Sequence, residues 1–153
     1  MQENKSVSLV SILVQFLYTT YTLTGVSGVY TFYNALPDFL STPSGSLRFV
    51  ANSDGVIFEG GRLNITLIYA QNVGELEFRN IEFRNWRSNN EMDGPIATWN
   101  IGKVTLANLH VHNNYADRNG ALGIFGGVRE LLLTDSLFEY NGGKSKNNVI
   151  SYI

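Results

Sequence analysis

Three stretches of the chain align without a gap: Glu75-Leu-Glu-Phe-Arg-Asn-Ile-Glu-Phe83, Lys103-Val-Thr-Leu-Ala-Asn-Leu-His-Val111 and Glu130-Leu-Leu-Leu-Thr-Asp-Ser-Leu-Phe138. Leu76, Val104 and Leu131 correspond, at spacings of 28 and 27 residues, as do Phe78, Leu106 and Leu133, and Phe83, Val111 and Phe138. A period of this length marks stacked repeats, because one repeat has no partner for its own apolar face. Parity within the repeat sharpens the reading. Leu76 and Phe78 alternate with Glu77 and Arg79, as a strand with one buried face requires. Ile81 and Phe83 alternate as well, but one residue out of phase with the first pair. A straight strand would turn one set to solvent. A sharp bend at Asn80 keeps both sets inside, and Asn tolerates the left-handed backbone such a bend uses. The slip recurs at Asn108 and Asp135, so Asn80, Asn108 and Asp135 are expected to stack as a structural ladder, with Asn85 over Asn113 as a second one.

A second block follows each bend: Gly94-Pro-Ile-Ala-Thr-Trp99, Gly120-Ala-Leu-Gly-Ile-Phe125 and Asn148-Val-Ile-Ser-Tyr-Ile153. Upstream, Leu47 and Phe49 precede Leu76 and Phe78 by 29, Gly55-Val-Ile-Phe58 reads as a second strand, and Gly28-Val-Tyr-Thr-Phe32 lies 27 before Gly55. The expected fold is all-β, a right-handed parallel β-helix or solenoid of about four to five coils of 27–29 residues. Its domain runs over residues 28–153 as part of a longer solenoid, and uncapped coils would invite end-to-end association. Residues 1–27 hold an apolar run from Val7 to Tyr18 followed by Gly25, Ser27 and Gly28. This order fits a secretory signal peptide and fits equally an N-terminal cap or buried strand. The run is too short and too interrupted for a membrane-spanning helix.

Composition narrows the functional classes. The chain has 153 residues, 44% hydrophobic and 16% charged, which is a folded composition. A net charge of −2 without a basic block argues against nucleic acid as partner. The absence of Cys removes disulfides, thiolate metal sites and Cys nucleophiles together.

The opening Gly28-Val-Tyr-Thr-Phe32 through Asp54-Gly-Val-Ile-Phe-Glu-Gly-Gly61 resembles the first coils of the pectin-lyase-like right-handed parallel β-helix superfamily. The later repeats are similar to those of polymorphic outer-membrane proteins and related adhesins. Phe138-Glu-Tyr-Asn141 fits their Phe-x-x-Asn signature, Val111-His-Asn-Asn114 replaces its Phe, and Phe83-Arg-Asn-Trp86 departs from it. The resemblance implies the fold more than an activity, since this fold hosts lyases, hydrolases, tail fibres and adhesins.

Two functions follow. The first is a non-catalytic secreted or cell-surface module, adhesin-like or scaffold-like, with a polysaccharide or cell-surface glycan as partner. The second is the N-terminal part of a polysaccharide lyase or glycoside hydrolase acting on acidic glycans. In the superfamily, substrate lies along one sheet framed by the longer loops, here Arg84–Asp93, His112–Asn119 and Glu139–Asn147. Trp86 and Trp99 would serve as stacking platforms, with Arg87, Asp93, Asp117 and Arg118 as polar clamps. The same residues are what the loops of any solenoid carry, polar because they are solvated. Asp93 and Asp117 sit at equivalent loop ends, but no acid cluster accompanies them, so no residue is assigned a catalytic role. His110 and His112 face outward with no third ligand in register, which leaves no metal site, and no cofactor is expected.

Overall fold

A computed structural model describes residues 4–5, 20–25, 28–31, 39–51, 56–60, 66–88, 94–116, 122–143 and 150–152. Among these the regular structure is all strand, in three parallel sheets. The six-stranded sheet is ordered Asn4–Lys5, Gly28–Thr31, Val56–Glu59, Ile81–Arg84, His110–His112, Leu137–Glu139. The eight-stranded sheet runs Glu130–Thr134, Lys103–Ala107, Ile68–Arg79, Ile96–Trp99, Gly123–Gly126, Ile150–Tyr152, and Phe39–Ala51 joins it between Thr20–Gly25 and Ile68–Arg79. The three-stranded sheet is Gly142–Gly143, Tyr115–Ala116, Arg87–Ser88. From Ile68 onward the described strands enter the three sheets in a recurring order, and each pairs parallel with strands 27–28 residues away. No described helix is long and apolar enough to cross a membrane.

The registers follow the sequence period. Leu76 pairs with Val104 and with Leu47, Phe78 with Leu106 and with Phe49, and Phe83 with Val111. These residues are buried, and with Ile81, Leu109, Ile101 and Val73 they form one continuous core. Burying a side chain of this size contributes roughly 1.5–3 kcal/mol, so the columns are the main source of stability. Phe49 stacks on Phe78 with ring centroids 4.9 Å apart and planes 7° from parallel. Phe83 meets Phe78 edge-on at 5.9 Å, which ties the two sheets together. In the last repeat Leu133 is 45% exposed, because its strand ends the sheet order, whereas Leu106, its partner in register, has a neighbour on both sides. Leu137 pairs with His110 and so lies on the outer face, where it is 54% exposed.

The corners explain how two out-of-phase apolar sets both point inward. Asn80, Asn108 and Asp135 hold φ of 60°, 50° and 49°. The same left-handed turn recurs at two further corners, as Asn72, Asn100 and Gly127, and as Asn85, Asn113 and Tyr140. Asn is the non-Gly residue best suited to this region. The bend at Asn72 also lets Ile68–Arg79 serve two neighbours, pairing Ile68–Gln71 with Ile96–Trp99 and Glu75–Arg79 with Lys103–Ala107. Amides bridge the corners between repeats. Nδ2 of Asn108 donates to Oδ1 of Asn80 at 3.0 Å, and Nδ2 of Asn100 donates to Oδ1 of Asn72 at 2.6 Å.

Two expectations need correction. The block after the bend is shifted by one residue: Trp99 pairs with Gly126 and Ile96 with Gly123, where the sequence alignment sets Trp99 against Phe125. The reason is steric. Any Cβ at Gly126 would collide with the Trp99 ring, and one at Gly123 with the Ile96 carbonyl oxygen, so the glycines define the register. At the start, Gly28 pairs with Val56, one residue beyond Gly55. Before residue 28, Thr20–Gly25 pairs with Ser46–Ala51, and Asn4–Lys5 pairs with Val29 and Tyr30.

Candidate functional site

The richest polar constellation lies on the outer face of the six-stranded sheet. Strand alternation sends Phe58, Phe83, Val111 and Phe138 inward and their neighbours out. Register then places Glu82 beside His110, and Glu59, Arg84, His112 and Glu139 in one row across four strands. Acids and bases interleave within this grid. Arg84 bonds Glu59 through Nε and reaches Glu82 Oε1 through Nη1 at 3.1 Å. His112 Nε2 lies 3.0 Å from the same Glu82 oxygen, and His110 Nε2 lies 2.9 Å from Glu139 Oε1. Asn85 Nδ2 donates to Glu59 at 2.7 Å, and the Asn113 amide sits 2.8 Å from His112 Nδ1. Burial by itself would lower the Arg84 pKa. The hydrogen bond and charge of Glu59, followed by Glu82, outweigh it and hold the guanidinium above its ordinary value.

The two imidazoles project from the same side of strand His110–His112, because residues two apart share a face, and their ring centroids are 4.3 Å apart. Glu82, His110 and His112 each bring one ligand-type atom to within 4.8 Å of the others. The expectation of no third ligand in register gives way here, because the neighbouring repeat supplies Glu82. The signal was present in the sequence: Glu82 and His110 hold the same position in the first two aligned stretches. A reading along one strand does not reveal it, because the third group comes from the neighbouring strand, where Glu82 pairs with His110.

The anticipated glycan residues fare differently. Trp86 is 2% exposed. Its indole Nε1 donates to the Phe58 carbonyl at 3.3 Å and its backbone N–H to Asn114 Oδ1 at 2.9 Å. A Cβ at Gly60 would lie 2.5 Å from the ring, so Trp86 packs into the wall and presents no face to a sugar. Arg87 is exposed on strand Arg87–Ser88. Asp93, Asp117 and Arg118 lie outside the described residues, as does the carboxylate pairing that would mark a hydrolase. Among the described residues the accessible large aromatic rings are Trp99, at 40% exposure, and Tyr140, at 81%.

Asn114 and Asn141 form a further column that sequence reading missed. Asn114 is 1% exposed, and its Nδ2 donates to the Phe83 carbonyl at 3.1 Å. Asn141 repeats the arrangement one turn later, with Nδ2 on the Val111 carbonyl at 2.8 Å and Oδ1 accepting the Asn114 N–H at 3.0 Å. Each amide satisfies backbone groups that the corner would strand, and no buried side-chain polar atom among the described residues lacks a partner. This column is therefore structural. The outer-face grid has the chemistry to engage a ligand. Comparison with protein-family models, curated proteins and solved structures finds no match for this chain.

Proposed function

We propose that the chain is a segment of right-handed parallel β-helix of the pectin-lyase-like kind, working as a non-catalytic, adhesin-like or scaffold-like module at the cell surface or outside the cell. One observation carries the reading: the same three left-handed corners recur in phase, as Asn72/Asn100/Gly127, Asn80/Asn108/Asp135 and Asn85/Asn113/Tyr140. A chain that turns at three fixed points per repeat and pairs parallel with its neighbours is built to wind into a rod. A rod of equivalent coils supplies stiffness and a long, regular outer surface, which is what display and adhesion use. Intercoil amide bonds and the stacked Phe49–Phe78 pair further support a rigid body.

The test pairs binding with cleavage. Purified protein is incubated with immobilised acidic and neutral polysaccharides, and the supernatant is assayed for new reducing ends and unsaturated products. The expected result is retention on at least one glycan with no new chain ends. Release of unsaturated or reducing ends that tracks the protein through purification would instead establish the lyase or hydrolase alternative.

A further inference from the structure

We propose that Glu82, His110 and His112 form a binding site for a divalent transition cation of the zinc class, clamping two adjacent repeats together. The donor set decides the class. Two imidazoles and one carboxylate suit Zn²⁺ and its neighbours Co²⁺ and Ni²⁺, whereas Ca²⁺ and Mg²⁺ require mostly oxygen. The placement is rigid, because His110 and His112 sit on a paired strand and Glu82 on the strand hydrogen-bonded to it. Glu82 Oε1 and His112 Nε2 are 3.0 Å apart, close to the ~3.4 Å ligand-to-ligand edge of a tetrahedron with bonds of about 2.0–2.1 Å. The third ligand atom lies within 4.8 Å of both, a gap that a small side-chain rotation closes.

The surroundings permit the exchange. Binding takes Glu82 from Arg84, but Arg84 keeps its direct pair with Glu59, so no guanidinium is stranded. With the metal on His112 Nε2, the Nδ1–H faces the Asn113 amide, which accepts through its oxygen after a flip. Glu139, 2.9 Å from His110 Nε2, adds negative charge beside the site, and His110 can offer a metal Nδ1, or Nε2 once Glu139 releases it. The ligands are half-buried, with His112 the least exposed side chain at 16%, so the cation has access from solvent and partial shelter from it. The site links strands Ile81–Arg84 and His110–His112, and occupancy should stabilise the stack as any ligand of the folded state does.

The experiment uses the whole chain with any affinity tag removed and metal stripped by chelator. Zn²⁺ is titrated by calorimetry and followed by thermal melting, and Co²⁺ by visible absorption. The expected results are a melting temperature that rises with Zn²⁺ and falls back with chelator, no such rise with Mg²⁺ or Ca²⁺, and a Co²⁺ spectrum of low coordination number. His112→Asn and Glu82→Gln should each weaken Zn²⁺ binding by about tenfold or more, and His110→Asn/His112→Asn should abolish it, with circular dichroism confirming that the sheets persist. Unchanged affinity in the folded double variant overturns the proposal. If that variant does not fold, the unsubstituted chain decides: a melting curve and a Co²⁺ spectrum indifferent to metal excess overturn the proposal equally.

Discussion

Asn108 Nδ2 lies 3.0 Å from Asn80 Oδ1, and the two residues share the left-handed backbone conformation, with φ of 50° and 60°. One side chain thus does two jobs: it makes the corner sterically tolerable and bonds the corner to the one in the preceding repeat. The jobs separate by substitution. Asn108→Val places a β-branched side chain at positive φ and removes the amide, and should cost about 1–3 kcal/mol. Asn108→Gly removes only the amide and should cost less than half as much. Equal losses for Val and Gly in chemical denaturation would mean that the backbone conformation is not what Asn108 secures.

A second prediction concerns the buried amide of Asn114. Its Oδ1 accepts the Trp86 N–H and its Nδ2 donates to the Phe83 carbonyl. Asn114→Leu leaves two buried backbone groups without partners, at roughly 1–3 kcal/mol each. The expected loss therefore exceeds that of Asn141→Leu, since Asn141 is only half-buried at the end of the described stack. Trp fluorescence should report the Asn114 change through Trp86, and an unmoved emission maximum would contradict the coupling.

Most of the stack was legible because its cause is local and repeated. Leu76, Phe78, Ile81 and Phe83 announce by parity alone that the chain bends at Asn80, and a bend with Asn in the left-handed region is what forms. The register of Gly123–Gly126 was not legible for the opposite reason. It is set by where the Trp99 ring and the Ile96 carbonyl come to rest on the neighbouring strand, and a match of residue types gives no weight to a missing Cβ. The outer-face grid fell between these cases. His110 was read as facing outward, yet its significance depends on Glu82, 28 residues earlier, and the aligned repeats hold that relation without naming it. Trp86 misleads in the other direction. Next to the polar Asn85 and Arg87 it reads as a surface ring, and only the space left by Gly60 shows where it goes.

The glycines give a third prediction, graded by what a methyl would strike. At Gly123 and Gly102 it meets backbone carbonyl oxygens, those of Ile96 and Gly74, which cannot move without breaking strand pairing. At Gly126 it meets the exposed Trp99 ring, which can swing away. Gly123→Ala and Gly102→Ala should therefore each destabilise by about 1–3 kcal/mol or more, and Gly126→Ala by less, with a red shift in Trp99 emission. A larger loss at Gly126 would mean that the ring is held in place.

The last prediction compares two leucines that the repeat makes equivalent and the stack makes different. Leu106 and Leu133 pair directly across Lys103–Ala107 and Glu130–Thr134, yet Leu106 is fully buried and Leu133 is 45% exposed. Leu106→Ala should cost about 2–5 kcal/mol, because a cavity is left between layers that touch it on both sides. At Leu133 one side is already open, so truncation removes fewer contacts and leaves no closed cavity; about 1 kcal/mol is expected. Matched denaturant melts of the two variants measure the difference. Comparable losses would show that Leu133 is covered in solution, and size-exclusion chromatography of the same samples would then reveal whether a second copy of the chain provides the cover.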